Sequence, residues 1–145
     1  MSEKPNWVQD HIDQYREDPE AAHMWDASHV GGPKNVPCLL LTTIGRKSGK
    51  ERPTPLIYGK VSEGYVIVAS KGGAPDHPAW YLNLRDNPKV KVQVATDEFE
   101  AEAESVTGGE KYQTWWDQMV EIWPPYNDYK EKTDRKIPLV LLRRL

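Results

Sequence analysis

The chain has 145 residues, of which 28% are charged and 38% hydrophobic, and its formal net charge is −3. This length is typical of one compact domain, and the weakly acidic balance argues against the broad basic surface that nucleic-acid binding requires. The single cysteine excludes an intrachain disulfide and most zinc frameworks. The four histidines fall at no metal-ligand spacing, so we expect no metal site and read each histidine as a surface or packing residue.

The first predicted element is an amphipathic helix over residues 5–17. Its apolar positions recur at helical spacing and are Trp7, Val8, His11, Ile12 and Tyr15. Because its polar face is acidic, we expect it to pack on protein rather than on anionic lipid, although a peripheral membrane contact stays open. No apolar signal region follows Met1, so we expect a cytoplasmic protein. The run 31–37 is typical of a linker, which predicts an N-terminal segment over 1–37 and a main domain over 38–145.

Strands dominate the predicted main domain. Apolar runs at 38–44, 52–60 and 64–70 are separated by turn residues, as in an antiparallel meander, and Cys38 is expected to be a buried thiol in the first run. A helix over 77–86 precedes two strands that alternate apolar and polar residues, near 90–94 and 99–105. Thr107–Glu110 matches a capping box for a second helix. A last strand covers 139–142, and this pattern favours a small barrel.

A cluster of four cations lies on a Ser-Gly turn between Gly45 and Arg52. Guanidinium and ammonium groups on a glycine turn are a candidate clamp for phosphate or carboxylates. The same residues are also typical of an ordinary solvated hairpin tip. The spacing is not that of a P-loop, because three residues separate Gly45 from Gly49 and Glu51 follows Lys50. We therefore expect no ordinary ATPase, and nothing suggests a Ser-His-Asp constellation.

A second candidate anion site runs from Ser70 to Asn83, where a predicted strand is followed by two glycines and a predicted helix. Asp76 is expected to cap this helix and Pro78 to lie in its first turn. Lys71 is expected at the carboxyl end of the strand, with no acidic neighbour in sequence.

A third segment runs from Trp123 through Pro124-Pro125 to Tyr129 and reads as a stiff loop. Its aromatic residues Trp123, Tyr126 and Tyr129 are expected to edge a pocket for a flat, partly polar ligand. We expect four further tryptophans to have ordinary packing roles in the protein. These are Trp7, Trp25, Trp115 and Trp116.

In this order, the three segments resemble the deazaflavin-dependent nitroreductase family, whose members bind reduced coenzyme F420. The resemblance implies a split β-barrel of the FMN-binding, pyridoxamine-phosphate-oxidase-like type with flanking helices. It also implies an oxidoreductase that transfers hydride from the reduced coenzyme to a quinone, a nitroaromatic or a similar conjugated acceptor. Trp123 departs from the family pattern, which commonly has Tyr at this position, so the resemblance implies an altered acceptor preference.

The resemblance also implies a role for each site residue. The phosphate and oligoglutamate tail would be held by Arg46, Lys47, Ser48, Lys50 and Arg52. The coenzyme would run along Thr54, Pro55, Leu56 and Ile57, with its ring against Val68, Ala69, Ser70 and Lys71. The other side would be closed by Ala79, Trp80, Tyr81, Leu82 and Asn83. Lys71 would stabilise negative charge on the ring, Tyr126 would contact the coenzyme and orient the acceptor or relay a proton, and Trp123 and Tyr129 would complete the acceptor site.

Two alternatives stay open from the residues alone. A basic turn holds any phosphate, so an FMN-binding oxidoreductase on the same barrel is one of them. The other is a non-catalytic module that binds the coenzyme, or a structural partner that uses the N-terminal helix. The sequence also leaves open whether the chain forms a homodimer.

Overall fold

The computed structural model describes residues 6–25, 36–71, 76–133 and 136–145. Most of the predicted linker, the glycines after Lys71 and the side chains of Trp7, Val8 and Trp25 lie outside the described part. The helices are α1 (Asn6–Glu17), α2 (Pro19–His23), α3 (Ala79–Asp86), α4 (Glu110–Ile122) and α5 (Pro125–Lys132). The strands are β1 (Met24–Trp25), β2 (Val36–Ile44), β3 (Glu51–Val61), β4 (Gly64–Val68), β5 (Lys89–Val94), β6 (Asp97–Val106) and β7 (Leu139–Arg144).

Six of these strands form a closed antiparallel barrel, which confirms the predicted fold. The order is β2-β3-β4-β7-β6-β5, and β5 pairs back with β2 to close the barrel. The register places Thr43 opposite Arg52 in the first hairpin and Leu41 opposite Val92 at the closing pair. Closure leaves none of the six strands with an unpaired long edge.

Alternation along the strands separates two cores. Leu39 and Leu41 point into the barrel with Ile67, while Cys38 on the same strand faces the outside. The outer core lies under α4 and α5 and is rich in aromatic residues, which are Tyr112, Trp115, Trp116, Trp123 and Tyr126. The packing roles predicted for Trp115 and Trp116 are thereby confirmed.

Close backbone approach explains two glycines. A Cβ on Gly59 would lie 2.7 Å from the Met119 sulfur, so this glycine lets α4 sit close on β3. Gly64 has φ +151°, and a Cβ there would lie 2.1 Å from the Leu142 carbonyl oxygen across the β4–β7 pair. Gly64 therefore requires glycine for steric reasons, whereas a Cβ at Gly59 would force the Met119 side chain to shift.

The N-terminal helices pack against the barrel. Ile12, Tyr15 and Ala22 form a small buried cluster with Leu40 of β2. The Tyr15 hydroxyl donates to the Cys38 carbonyl oxygen at 2.7 Å and accepts from the Ala95 amide at 3.0 Å. The buried face of α1 thus packs on the barrel, which agrees with the prediction that this helix packs on protein rather than on anionic lipid. Within the described residues, no helix combines the length and the apolar character needed to cross a membrane.

Three local predictions were wrong. Asp76 does not cap α3, because the N-cap is Pro78 and no side chain caps this end. Thr107 does not form a capping box, because α4 starts after Gly109, whose φ of +92° suits glycine alone. The segment after Pro124 is the helix α5 rather than a loop, since Pro125 occupies its first turn, where a missing amide hydrogen costs nothing.

Candidate functional site

Two cavities meet at Trp80 on helix α3. The larger has a volume of about 470 Å³ and is bounded by β3, the end of β4, α3 and the α4–α5 junction. The smaller, of about 280 Å³, lies over the turn between β2 and β3. Both volumes belong to the range of small-molecule sites or their subsites.

The smaller cavity brings together most of the predicted tail residues. It is lined by Gly45, Arg46, Lys47, Ser48, Arg52, Thr54, Ala79, Trp80 and Asn83. None of these side chains carries a negative charge. A site with this donor set therefore favours an anion.

Hydrogen bonds fix the shape of the basic turn. The Gly45 amide donates to the Lys50 carbonyl and the Gly49 amide to the Gly45 carbonyl, both at 2.8 Å. The Ser48 hydroxyl oxygen accepts from the Lys50 amide at 3.2 Å and from an Arg52 guanidinium nitrogen at 3.3 Å. Gly49 has φ +70°, which the turn requires and which β-branched residues avoid. Ser48 thus stabilises the turn that presents the cations.

The cations of the turn differ from other surface cations of the barrel. Lys91 pairs with Glu51 at 2.7 Å and Arg144 with Asp97 at 2.9 Å. By contrast, no carboxylate among the described residues lies within 4.0 Å of the cationic groups of Arg46, Lys47 or Arg52. Their charge is therefore not neutralised by ion pairs within that part of the chain.

Arg46 is instead held by a neutral side chain of α3. The Asn83 side-chain oxygen accepts from the Arg46 amide at 3.3 Å and from the Arg46 Nη1 at 3.0 Å. The Asn83 amide nitrogen donates to the Thr43 hydroxyl oxygen at 3.2 Å. Asn83 is buried, whereas Arg46 is exposed, so the bond connects the interior to the surface turn.

The larger cavity is mainly apolar and aromatic. Its walls are His11, Cys38, Pro55, Leu56, Ile57, Val68, Ser70, Lys71, Pro78, Trp80, Trp123, Tyr126 and Tyr129. Trp80 lines both this space and the basic cavity. A flat, partly polar ring system fits such walls.

Lys71 lies at the rim of the larger cavity in a strained conformation. Its φ is +47°, a region that residues other than glycine rarely adopt. Backbone strain of this kind costs about 1–3 kcal/mol and persists where the surrounding fold imposes it. The side chain is exposed, so its ammonium group stays hydrated beside an apolar space.

The three aromatic residues predicted to edge a pocket, Trp123, Tyr126 and Tyr129, lie at the α4–α5 junction and are called the aromatic lid below. The Trp123 indole donates to the Tyr129 hydroxyl oxygen at 3.3 Å, and the Tyr126 and Tyr129 rings meet edge to face at 6.0 Å between centroids. Burial, with smaller contributions from Cys38 and Tyr129, raises the pKa of Tyr126 far above the usual tyrosine range. Tyr126 is therefore a hydrogen-bond donor and a poor proton donor.

Four lining residues were not predicted as site residues, namely His11, Cys38 and Pro78 in the larger cavity and Gly45 in the smaller one. His11 of α1 is 4% exposed, and its Nε2 lies 2.8 Å from the Ala22 carbonyl oxygen, so Nε2 carries the proton. Burial lowers the pKa of His11 and raises that of Cys38 to about 12, so both are neutral near pH 7. No sequence motif marks His11, because α1 reaches the cavity only through tertiary packing.

Four predicted site residues line neither cavity. Ala69 is fully buried in the barrel interior, and the Tyr81 hydroxyl shares a hydrogen bond with the Ser105 hydroxyl at 2.7 Å on the far side of α3. Leu82 packs against the interior core. Lys50 contributes its backbone to the turn, while its side chain stays outside the walls.

Comparison with known proteins decides the family. The family model of the F420H2-dependent quinone reductases matches residues 14–144. The chain belongs to this family. An F420H2-dependent quinone reductase of Mycobacterium tuberculosis (strain H37Rv) is 40% identical over 114 residues, which cover 77% of this chain and 76% of that protein.

Solved structures agree with this assignment. The F420H2-dependent reductase FDR-A is 43% identical, with a TM-score of 0.67, and the match covers 73% of this chain and 93% of that chain. A second structure, described as a domain-swapped dimer, is 36% identical with a TM-score of 0.70, over 95% of this chain and 98% of that chain. As an F420H2-dependent quinone reductase, the chain is an oxidoreductase, and its cofactor is F420 rather than FMN.

Proposed function

We propose that the chain binds the charged tail of F420H2 in the basic cavity and its ring in the larger cavity, where the ring meets a quinone. The observation that carries the proposal is the pairing of the two cavities. One is cationic, the other apolar and aromatic, and Trp80 belongs to both. A ligand with an anionic tail and a flat ring system matches this arrangement.

The residues of the basic cavity fit a phosphate. The guanidinium groups of Arg46, in the turn, and Arg52, on β3, supply forked donors, and Lys47 adds a compact charge. The turn between them is held rigid by Ser48, so these groups lose little freedom on binding. Lys50, whose side chain lies outside the cavity, faces solvent, where more distant carboxylates of the tail would reach it.

The residues of the larger cavity fit the ring. Pro55, Leu56 and Ile57 provide one apolar wall along β3, with Val68 beside them. Reduced F420 supplies a hydride when bound. The walls of the cavity would hold the reacting partners in contact, and positioning of this kind supplies much of the rate enhancement in hydride transfer. Lys71, at the rim, would stabilise the negative charge that develops on the ring.

The acceptor side is formed by α1 and the aromatic lid. Tyr126, kept protonated by burial, would donate a hydrogen bond to a quinone oxygen. Trp123 and Tyr129 would pack against the flat acceptor on the side of the lid. His11 would contribute the opposite edge, so that the N-terminal segment (1–37) completes a site that otherwise belongs to the main domain (38–145).

Association with a second copy is part of the proposal, since a relative with 36% identity is a domain-swapped dimer. Light scattering on the purified chain tests it, and a single monomeric species at micromolar concentration would contradict it.

We place no membrane contact in the proposal, because the described buried side chains of α1 pack on protein. We expect a cytoplasmic enzyme.

Anaerobic titration with F420H2, followed by addition of menadione, tests the activity and the site together. We expect micromolar coenzyme affinity and stoichiometric hydroquinone formation. Arg46→Ala should weaken coenzyme binding, whereas Lys60→Ala, which removes an exposed cation of β3 outside both cavities, should not. Equal affinity in the two variants would refute the tail site. Protein that purifies with bound FMN and ignores F420H2 would refute the coenzyme assignment.

A further inference from the structure

Asn83 is buried beneath the basic turn and connects three elements. It lies on α3 and is 5% exposed. Its side-chain oxygen accepts from both the backbone amide and the guanidinium of Arg46, at 3.3 and 3.0 Å. Its side-chain nitrogen donates to Thr43, which is fully buried on β2, at 3.2 Å. The resulting chain of hydrogen bonds runs from the barrel interior to an exposed cation.

The chemistry of the partners fixes the orientation of the amide. An arginine guanidinium and a backbone amide are donors only, so the group that faces Arg46 must be the oxygen of Asn83. The nitrogen therefore faces Thr43, whose hydroxyl oxygen accepts. Both ends of the amide are satisfied in one orientation, and this orientation holds Arg46 at its backbone and at its side chain simultaneously.

Two hydrogen bonds to Arg46 should reduce the conformational entropy that this side chain loses on binding. A long exposed side chain loses rotamer freedom when it closes on an anion, and preorganisation removes part of that cost. The guanidinium has five N–H donors, and Asn83 engages one of them at Nη1. Because Trp80 and Asn83 are three positions apart on α3, the same helix face walls the ring cavity and sets the tail cation.

We propose that Asn83, locked by Thr43, is a positioning residue that preorganises Arg46 for the anionic tail of the coenzyme. This inference rests on the proposed function, because it requires the tail to lie on the basic turn. It assigns Asn83 an effect that passes through Arg46 and not through the deazaflavin ring.

A double-mutant cycle on coenzyme binding tests the proposal. The variants are Asn83→Ala, Arg46→Ala and the double variant, and fluorescence titration of F420 gives the dissociation constants without turnover. Asn83→Ala should weaken binding by about two- to twelvefold, the cost of one immobilised side chain. In the Arg46→Ala background the same change should have no further effect. A deazaflavin that lacks the phosphate and glutamates should bind all four proteins equally.

Thr43→Val provides a second variant in case Asn83→Ala folds poorly. It removes the acceptor that orients the amide, keeps the shape of the side chain, and should weaken F420 binding in the same direction but less. Independent, additive losses in the cycle would overturn the proposal, as would an equal loss for the tail-free deazaflavin. If Arg46→Ala alone bound F420 like wild type, both the tail site and the positioning role would be refuted. A normal loss in Arg46→Ala with none in Asn83→Ala and Thr43→Val would refute only the positioning role.

Discussion

Replacement of Trp123 by Tyr separates the structural and functional roles of the aromatic lid. Trp123 is 6% exposed, belongs to the outer core, and also lines the larger cavity. Trp115 has the same exposure and lies in the same core, but it lines neither cavity. Trp115→Tyr is therefore a matched control, in which an identical change is made away from the site.

The expected stability cost follows from the contacts. The exchange removes about two heavy atoms of buried apolar surface, worth roughly 1.6 kcal/mol at about 0.8 kcal/mol for each methylene equivalent. At Trp123 it also removes the long indole bond to Tyr129, at 3.3 Å, worth about 0.5 kcal/mol. For a domain of this size a loss of about 2 kcal/mol lowers Tm by roughly 6 °C. Both variants should fall near this value in thermal unfolding followed by circular dichroism.

The functional effect should appear in one variant only. Trp123→Tyr places a hydroxyl in the larger cavity, at the proposed acceptor site, and should change the ratio of kcat/KM for menadione and a nitroaromatic by about tenfold. The dissociation constant of F420 should stay within about twofold, because Trp123 lies outside the basic cavity and, in the proposed function, contacts the acceptor rather than the coenzyme. An equal shift in Trp115→Tyr would mean that acceptor preference reports general loosening of the core. A collapse of coenzyme affinity in Trp123→Tyr would refute the lid assignment.

Three further perturbations test other parts of the site. Arg52→Ala should weaken F420 binding about fivefold at low salt, which corresponds to about 1 kcal/mol for an exposed charge. The loss should be smaller at 1 M salt, where the Debye length is about 3 Å, and a loss that does not depend on salt would contradict this expectation. His11→Phe keeps an aromatic ring but loses the hydrogen bond to the Ala22 carbonyl oxygen, so KM for quinone should rise in steady-state assays while F420 affinity is unchanged in titration. Weaker F420 binding with an unchanged KM for quinone would exclude α1 from the acceptor site. Burial raises the pKa of Cys38 from 9.0 to about 12, so alkylation at about pH 8 should be slow in the native protein and fast in urea. The folded state retains the Cys38 proton longer than the unfolded state, so this thiol's contribution to stability is present below pH 9.0 and is lost as pH rises toward about 12. A Cys38→Ala variant with an identical alkaline loss would contradict that last expectation.

Much of the barrel could be read from the sequence because strand signals are local. Val90 and Val92 alternate with lysines, and the first hairpin has a Ser-Gly turn, so strand positions and faces follow from a period of two. Closure of β5 onto β2 could not be read in this way, because it joins residues about fifty positions apart. The helix α5 was missed since Pro, Asn and Asp near Tyr126 resemble loop residues, although proline also suits a first helical turn.

The predicted site residues likewise divide into those that local sequence clusters mark and those whose position depends on packing. The cations of the turn and the aromatic residues of the lid stand out as clusters in sequence, and all of them except Lys50 reach cavity walls. Ala69 and Tyr81 lie next to residues that do reach the walls, but their side chains point elsewhere. A one-residue shift on a strand moves a side chain to the opposite face, so a motif alone cannot assign every member.

The sequence by itself determined the chemical character of each part: a basic turn that suits an anion, an aromatic segment that suits a flat ring, and an antiparallel barrel that carries them. Only the tertiary structure decided how these parts cooperate. It placed Trp80 in both cavities, brought His11 of the N-terminal helix to the wall of the larger cavity, and set Asn83 under Arg46. The physical reason is that residue types and local periodicity fix what a segment can bind, whereas barrel closure and helix packing fix which segments meet.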